Sequence, residues 1–480
     1  MAIVNQVCTN YVAKFTGDRS DPEASLKPDI TLFSKNDEPD LPKGSDVETS
    51  FLHMQLSIEL KRDTLADPFR DISDDNMEER NTITGNETRG QCLLYAANQL
   101  AYQHRLFAFS MVICGKKARF IRFDREGVVV SAGIDYSQHP NLVIEFLWRF
   151  NQLTAEQCGL DPTATPATLE EVEMFKSAVA KVEIESLRFS VGDQDLYPRF
   201  KLEVRDSKGV VSYYIVGKAL DYNLGVTGRC TRGYLALDLS TKECVFLKDM
   251  WRPDVPGVEP EHVWYGKLIE AKVPHLVKFK HASDVVPSSL PNHYHGTDTL
   301  EPTVTTALEG AQRGLTCRLA CLFDLPDSSF QGHVHYRLVQ GELCRSLSEF
   351  TNSKHLVTVV LHSLEGKNWL DCILVNLLMD CAACSSACSD ADLFHRDASF
   401  GNIMIALNGE GKLNDWDLCR GVNVDRSLEG PRTVRGLLYL AMLAFMPVHR
   451  GPGSSCRRGC FRILGQDTQS PMISNPISSF

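Results

Sequence analysis

The segment Phe394–Ile405 reads FHRDASFGNIMI, and ten residues later the segment Asp415–Leu418 reads DWDL. These segments place an acid, an amide and a second acid among apolar residues. The three are Asp397, Asn402 and Asp415. Carboxylate and amide oxygens are ligands that a hard divalent cation prefers, and such a cation can hold a phosphate chain. These two segments predict a site for metal and phosphate, provided that other segments supply the remaining groups.

The chain between the two segments is typical of a β-hairpin, with its turn at Asn408–Gly411. Such a hairpin returns Asp415 to the neighbourhood of Asp397. The order His-Arg-Asp, with an asparagine five residues after the acid, matches the catalytic-loop pattern H-R-D-x-x-x-x-N. In that pattern Asp397 accepts a proton from a substrate hydroxyl and Asn402 binds metal. Arg396 would compensate buried negative charge, and Asp415 would hold the metal that bridges the phosphates.

A glycine-rich hairpin is predicted earlier in the chain, where Tyr213–Trp251 alternates strand and turn. Glycines such as Gly228 and Gly233 let backbone N–H groups approach phosphate oxygens without obstruction by a side chain. Glycine in a hairpin is more often only a turn residue, so this signal is weak by itself. Lys248 strengthens it, because a lysine inside the apolar strand CVFLKD is costly unless its charge is paired.

The partner of Lys248 is expected on the helix predicted in EPEHVWYGKLIEAKVPHL, where Pro260 suits the first turn. Glu261 is the favoured partner and Glu270 the alternative. A lysine and a helix glutamate in this relation align the α- and β-phosphates of ATP. With the three polar residues of the opening segments, they form an ordered set that predicts ATP as substrate and Mg²⁺ as cofactor.

The strand in HYRLVQGELCRSLSEF runs into a Gln-Gly-Glu turn, which suits a hinge between two lobes. The backbone groups of Leu338, Val339 and Gln340 would there meet an adenine edge. An ordinary strand–loop–helix is the more frequent explanation of such a segment taken alone.

The size and charge of the chain limit the classes to which it can belong. Its 480 residues exceed one ordinary core, so two or three domains are expected. A hydrophobic content of 43% and a charged fraction of 23% are typical of a globular protein. The formal net charge of −11 argues against a protein that coats nucleic acid, although Gly115–Glu126 forms a local basic patch.

No secretory signal is recognisable in the first residues, and the longest apolar runs, Leu437–Val448 and Trp369–Asp380, fall short of the ~20 residues that span a bilayer. We therefore expect an intracellular protein, cytoplasmic or nuclear, without a membrane span. Its 16 cysteines then indicate reduced thiols. Cys381, Cys384 and Cys388 form a cluster that suits zinc, but no fourth ligand stands at a recognisable spacing.

The chain resembles the fungal-type protein kinase domain family, known from mushroom-forming fungi, over roughly residues 20–435. The segments that follow the order of that family are QHRLFAFSMVICGKKARFIRFDREGVVVS, FLWRFNQLT, GRCTRGYLALDL, VFLKDMWR, RLVQGELCRSLSEF, HRDASFGNI and DWDLCRG. The resemblance implies ATP-dependent phosphorylation of serine or threonine on protein substrates in an intracellular setting. It does not imply which protein is the substrate.

Four features depart from that family's pattern. Cys230 stands where the glycine-rich loop normally has its middle glycine, a place where a side chain would crowd the phosphates. Ser399 stands where many Ser/Thr kinases have a lysine, although serine is usual in this family. The segment GKNWLDCILVNLLMDCAACSSACSDADL replaces the plain helix expected before the catalytic loop. After Thr433, which would lie on an activation-type loop, the pattern stops, so a shortened C-lobe is expected.

The first half of the chain contains a second and weaker set of residues. These are Asp29, Glu59 and Lys61 at strand ends, and Gln91 and Tyr95 on the helix predicted over Arg89–Arg105. They resemble the restriction-endonuclease-like fold, in which two acids bind Mg²⁺ and the lysine orients water. The chemistry fits, since two carboxylates hold a hard cation and an ammonium stabilises charge at a phosphodiester. A regulatory or adaptor domain is the alternative, and the acidic charge favours it.

We therefore predict an α+β chain with a two-lobed, protein-kinase-like fold behind an α/β domain. Residues 1–190 form the N-terminal domain, nuclease-like or regulatory, and residues 191–345 form the kinase N-lobe and hinge. Residues 346–435 form a partial C-lobe with the catalytic loop, and residues 436–480 an atypical tail. The predicted function is ATP/Mg²⁺-dependent protein phosphorylation. The alternatives are a pseudokinase that binds nucleotide or a partner, and a nucleic-acid enzyme acting through the N-terminal domain.

Overall fold

The computed structural model describes residues 1–37, 49–73, 76–192, 197–206, 208–254, 258–286, 332–364, 387, 390–397 and 399–421. Two β-sheets dominate these ranges, and helices pack on both of them. We call residues 1–152, which contain the first sheet, the first body. Residues 164–421, which contain the second sheet and the segments after it, are the second body.

The first body is built on a mixed sheet. Its strands are β1 (Tyr11–Phe15), β2 (Ile30–Ser34), β3 (Met54–Lys61), β6 (Phe107–Cys114), β7 (Lys117–Asp124), β8 (Val128–Val130) and β9 (Ile134–Asp135), beside a separate hairpin of β4 (Phe69–Ser73) and β5 (Asn76–Glu79). They pair in the order β1-β2-β3-β6-β7-β8, with β9 on β7. The pairing of β3 with β6 is parallel and the others are antiparallel.

Helices cover both faces of this sheet. They are α1 (Ala2–Val7), α2 (Ile83–Tyr102) and α3 (Pro140–Gln152). Because side chains alternate along a strand, Val112 of β6 packs against α2 while Met111 packs against α3. The helix predicted over Arg89–Arg105 begins earlier, since the hydroxyl of Thr82 accepts the N–H of Gly85 at 3.1 Å and caps it.

The second sheet is antiparallel throughout. Its strands are β10 (Ala164–Pro166), β11 (Phe200–Arg205), β12 (Val211–Val216), β13 (Asp221–Tyr222), β14 (Arg232–Asp238), β15 (Cys244–Pro253), β16 (Phe279–Asp284) and β17 (His333–Gln340). They pair in the order β10-β11-β12-β14-β15-β17-β16, with β13 on β14. Strand pairing thus places residues from Ala164 onward with the second sheet, while the boundary near residue 190 stays a prediction.

Helices of the second body lie on opposite faces of its sheet. They are α4 (Leu169–Val179), α5 (Glu185–Gly192) and α6 (Glu261–Glu270). Phe175 of α4 packs against Leu235, whereas Tyr265 and Leu268 of α6 pack against Leu338. The cluster around α6 continues into the segments after the sheet, so one core connects the sheet to the elements below it.

Those elements are small. They are β18 (Cys344–Ser346), α7 (Ser353–Leu364), β19 (Leu393–Phe394), β20 (Ile403–Ala406), β21 (Gly411–Leu413) and β22 (Arg420–Gly421). The hairpin predicted from the sequence is β20–β21. Helix α7 packs so closely on β21 that a Cβ on Gly411 would lie 1.9 Å from the carbonyl oxygen of Val359, which requires glycine there.

Buried polar contacts connect the two bodies. The guanidinium of Arg232 donates to the carbonyl oxygen of Gln103 at 2.8 Å, just beyond the end of α2. Arg337 donates to Asp161 at 2.6 Å and to Thr163 at 2.8 Å, in the segment between the bodies. Both arginines are buried, so the contacts belong to a continuous interior.

Several predictions fall outside the described residues. These concern Cys381, Cys384 and Cys388, Thr433, the missing C-lobe helices, and the tail over residues 436–480. In the ranges that the structure does describe, no helix has the length and apolarity needed to cross a membrane.

Candidate functional site

Lys248 lies on β15 with only 7% of its surface exposed, and its ammonium contacts three carboxylates. Its Nζ lies 2.9 Å from Glu261, forms a shorter contact with Asp415, and lies 3.8 Å from Asp417. Gly233 pairs with Lys248 on the neighbouring strand β14, so the lysine lies beneath the glycine-rich hairpin. The structure therefore brings to one point a lysine and three acids, which come from two distant segments.

Glu261 reaches this point because it is the first residue of α6, directly after Pro260. Its second oxygen accepts the N–H of Trp416 at 3.0 Å. One carboxylate thus binds both the lysine of the sheet and the backbone of the DWD segment. Glu270 lies exposed at the other end of the helix, so the partner favoured from the sequence is the one that the structure places beside Lys248.

Burial and charge oppose each other in this group. Burial lowers the pKa of Lys248, but Glu261 and Asp415 outweigh it and leave that pKa above its ordinary value. Burial raises the pKa of Asp415, but Lys248 and Arg229 bring it below the ordinary value. Burial raises the pKa of Glu261 and Asp415 adds to the rise, so that its pKa stays high despite Lys248. The charged forms of Lys248 and Asp415 are therefore favoured, whereas Glu261 holds its proton more tightly than an ordinary carboxyl group.

The catalytic-loop segment is held in place by a histidine. The Nε2 of His395 lies 2.8 Å from the carbonyl oxygen of Asn414, and its Nδ1 accepts the N–H of Asp397 at 3.2 Å. These contacts fix the neutral tautomer with its proton on Nε2, and burial, which lowers the pKa of His395, agrees with a neutral ring. The side-chain amide of Asn402 donates to the carboxylate of Asp397 at 3.1 Å. Asp397 and Asn402 are thus adjacent, and His395 connects them to the DWD segment.

Two of the predicted residues have a left-handed backbone. Arg396 has φ = 69° and Asp415 has φ = 64°. Such a conformation costs a non-glycine residue of order 1–3 kcal/mol and persists only where surrounding contacts determine it. For Asp415 the contact with Lys248 is one of them. Strain of this kind clusters at functional sites, which supports the assignment of these segments to a site.

The glycine-rich hairpin comprises residues 221–238. Gly228 at its tip has φ = 90°, a region that glycine adopts freely. Cys230, expected to crowd a phosphate, turns its thiol inward and donates to the carbonyl oxygens of Gly225 at 3.2 Å and Thr227 at 3.4 Å. Its side chain therefore packs within the hairpin.

The hinge prediction needs a correction. Strand β17 lies between β15 and β16, with Leu338 opposite Lys248 on one side and Ala282 on the other, and Val339 is paired in the same way. The backbone polar groups of such a strand are used in the sheet. Leu338 and Val339 therefore have no free backbone edge for an adenine. The side chain of Gln340, the last residue of β17, instead contacts Tyr265 and Asn414 in the core.

Two residues of the site were missed by the sequence analysis. Arg229, in the tip of the glycine-rich hairpin, forms an ion pair with Asp417, the third residue of the DWD segment. Asp417 stood in the quoted motif DWDL, and a second acid two residues after Asp415 was the available signal. No pattern in the sequence indicated Arg229, because its partner lies 188 residues away.

The first body contains the second predicted set. The carboxylate of Glu59, 3% exposed, lies 2.6 Å from Lys61 Nζ and accepts the hydroxyl of Tyr95 at 3.2 Å. Asp29 accepts the N–H of Leu60 at 2.8 Å. Burial raises the pKa of Glu59 and Asp29 adds to the rise, while Lys61 opposes it.

Gln91 lies on α2 one turn before Tyr95, half-buried, and stays a predicted member of this set. Within the described residues no group of three or more His, Cys, Asp or Glu side chains is arranged to hold a metal. The two carboxylates with a neighbouring lysine therefore form a partial donor set.

Comparisons with known proteins identify a family, and the solved structures that match include a distant kinase domain. The family model described as "Fungal protein kinase" matches residues 28–438. No curated protein matches the chain. A solved structure of the ROP18 kinase domain in complex with AMP-PNP and sucrose is 12% identical, with 54% of this chain and 69% of that chain covered and a TM-score of 0.25. Nothing about the ligands of the present chain follows from that structure.

Replacing Lys248 tests how much its positive charge stabilises the buried carboxyl group of Glu261. In Lys248→Met, Glu261 loses its cation, so we expect the free energy of unfolding at pH 8 to fall by about 3 kcal/mol. A buried carboxyl with a raised pKa binds its proton more tightly in the folded state, so stability falls as pH rises through that pKa. The loss should therefore be smaller at pH 5 than at pH 8 in urea titrations.

Two variants control this measurement. The double variant Lys248→Met/Glu261→Gln should lose most of the pH dependence, because the buried carboxyl is gone. Lys176→Met, which breaks the exposed pair with Glu173, should cost less than about 1 kcal/mol. If the loss of unfolding free energy in Lys248→Met equals that in Lys176→Met, or does not depend on pH, the pairing of Lys248 with the buried Glu261 is contradicted.

Proposed function

The chain belongs to the fungal protein kinase family, and on that premise we propose that it transfers the γ-phosphoryl group of ATP, with Mg²⁺, to serine or threonine of a protein substrate. The family match over residues 28–438 and the α+β architecture support the predicted kinase-like fold of the chain. The restriction-endonuclease-like fold of the first body stays a prediction.

One observation carries the proposal: the ammonium of Lys248 is shared by Glu261 and Asp415. A buried lysine held by a helix glutamate is the arrangement that aligns ATP phosphates in protein kinases, beside an acid that holds metal. The contact between Lys248 and Asp415 would be exchanged when phosphate oxygens take the place of the carboxylate at the ammonium. Asp415 would then be free to bind a cation.

The donor set fits Mg²⁺. Asp415 and Asn402 supply oxygen ligands, and Asp415, with its depressed pKa, is ionised at neutral pH. Bound Mg²⁺ would neutralise charge on the phosphates. Asp397, oriented by Asn402, would accept the proton of the substrate hydroxyl as its oxygen attacks the γ-phosphorus, while the bond from that phosphorus to the bridging oxygen breaks and ADP leaves.

The role of Asp397 can be tested with an isosteric change. Asp397→Asn keeps the size of the side chain and removes the base, so transfer of labelled γ-phosphate should fall by at least about 100-fold. Asp18→Asn, on the exposed surface of the first body, is the matched control and should match the parent protein. Equal transfer by Asp397→Asn and the parent protein would refute the role of the acid.

Measuring the melting temperature beside the transfer assay distinguishes an active kinase from a pseudokinase. If Mg²⁺ and AMP-PNP raise the melting temperature of the parent protein but no phosphate is transferred, the chain binds nucleotide without catalysis. If neither effect appears, the proposed function fails altogether.

A second candidate function rests on the first body. The contacts of Glu59 with Lys61 and Tyr95, beside Asp29, suit Mg²⁺-dependent cleavage of a phosphodiester bond in nucleic acid. Asp29 and Glu59 would hold the cation, and Lys61, which is 27% exposed, would orient water or stabilise the developing charge. Without such activity the first body would be a regulatory or adaptor domain.

Nicking of supercoiled plasmid tests this candidate. We expect Mg²⁺-dependent nicking that Glu59→Gln abolishes and that Glu145→Gln, on the exposed face of α3, leaves unchanged. Because the pKa of Glu59 is raised and the cation requires its carboxylate, nicking should increase as pH rises through that pKa. Nicking that persists in Glu59→Gln would show a contaminating nuclease and reject the candidate.

A further inference from the structure

The tip of the glycine-rich hairpin is packed into the first body. The side chain of Val226, 8% exposed, belongs to the same apolar cluster as Ala96 and Leu100 of α2, and Phe123 and Val130 of the first sheet. The tip therefore lies in the core of the first body, whereas phosphate-binding glycine loops are usually free to move at their tips.

Arg125 of the first body fixes the backbone of the same tip. Its guanidinium donates to the carbonyl oxygens of Gly225 at 2.9 Å and Val226 at 3.2 Å. Its own carbonyl oxygen accepts the N–H of Gly228 at 2.9 Å. Three backbone groups of the tip are thus bound by one residue of the turn after β7.

The charge of Arg125 makes this attachment strong. The side chain is 2% exposed, and the hydrogen bonds that the structure describes for it all go to backbone carbonyl oxygens. Its third acceptor is the carbonyl oxygen of Leu100 at 3.1 Å, in the last turn of α2, where the helix dipole is negative. If the tip moved away, a buried cation would keep one of its three acceptors, which is costly.

The other side of the tip faces the candidate site. The carbonyl oxygen of Arg229 accepts the N–H of Trp251 at 2.8 Å, and its guanidinium pairs with Asp417 of the DWD segment. Cys230 binds two carbonyl oxygens within the tip. The tip is therefore held between the first body and the site.

We propose that the first body sets the affinity of the second for nucleotide by anchoring the glycine-rich hairpin through Arg125 and Val226. Arg125 is a positioning residue, since it acts on the site only through the tip. An anchored tip has lost its conformational freedom before nucleotide arrives, and this preorganisation strengthens binding. The effect on nucleotide rests on the proposed function, whereas the anchoring itself does not.

A matched pair of variants tests the anchor in the full chain. Val226→Ala removes two methyl groups from the tip, and Val130→Ala removes the same groups from the same cluster at a position in the first sheet, outside the tip. Amide hydrogen exchange without nucleotide should accelerate at least about tenfold over residues 225–228 in Val226→Ala alone. The dissociation constant of Mg²⁺–AMP-PNP and the KM for ATP should rise about three- to tenfold in that variant, with kcat little changed.

Arg125→Lys provides a second variant, because it keeps the charge and loses the paired donors. It should reproduce the raised KM and the faster exchange. Equal effects of Val226→Ala and Val130→Ala, or tighter nucleotide binding in Val226→Ala, would overturn the proposal. If the parent protein binds no AMP-PNP, the proposed function fails; faster exchange confined to Val226→Ala would then still support the anchor, and its absence would overturn it.

Discussion

The buried ammonium of Lys248 is the interaction on which the second body depends. A lysine in the middle of a sheet is destabilising unless its charge is matched, and the matching groups are 13 and 167 residues away, at Glu261 and Asp415. This requirement places the start of α6 against the sheet and the DWD segment below it. In the proposed function, Asp415 would leave Lys248 and bind a cation when phosphate oxygens arrive, so the interaction that stabilises the fold would also form the site.

The candidate residues of the site could be predicted because their patterns are local in sequence. The spacing of Asp397 and Asn402, the lysine in an apolar strand, and the acid at the start of a helix each have a meaning that short segments carry. The structure places Glu261 beside Lys248, and Asn402 beside Asp397. It also places Cys230 within its own hairpin, which removes the clash expected from the missing glycine.

The sequence did not reveal which segments far apart in the chain contact one another. Leu338 and Val339 were recognised as a strand, but whether a strand is central or at an edge depends on pairings with β15 and β16 that no local pattern encodes. The ion pair of Arg229 with Asp417 is likewise a contact between distant segments. The start of α2 at Ile83, earlier than predicted, does have a local signal, which is the capping residue Thr82. The prediction used the spacing of apolar residues instead.

Helix α2 connects the two candidate sites. Tyr95 binds Glu59 in the first body, and Leu100, little more than one turn further on, accepts the hydrogen bond of Arg125, which holds the glycine-rich hairpin. The chain is therefore better described as a kinase-like body with an integral N-terminal part than as two independent domains. A displacement of α2 at Tyr95 would therefore also shift Leu100 and, through Arg125, the glycine-rich hairpin.

The most direct test of the account is affinity labelling with an ATP analogue that carries an electrophile in place of its terminal phosphates, followed by peptide mass mapping. If Lys248 lies where the phosphates bind, it should be the principal labelled residue, and excess Mg²⁺–ATP should suppress the labelling. Labelling of other lysines with Lys248 untouched, or labelling that ATP does not suppress, would contradict the account.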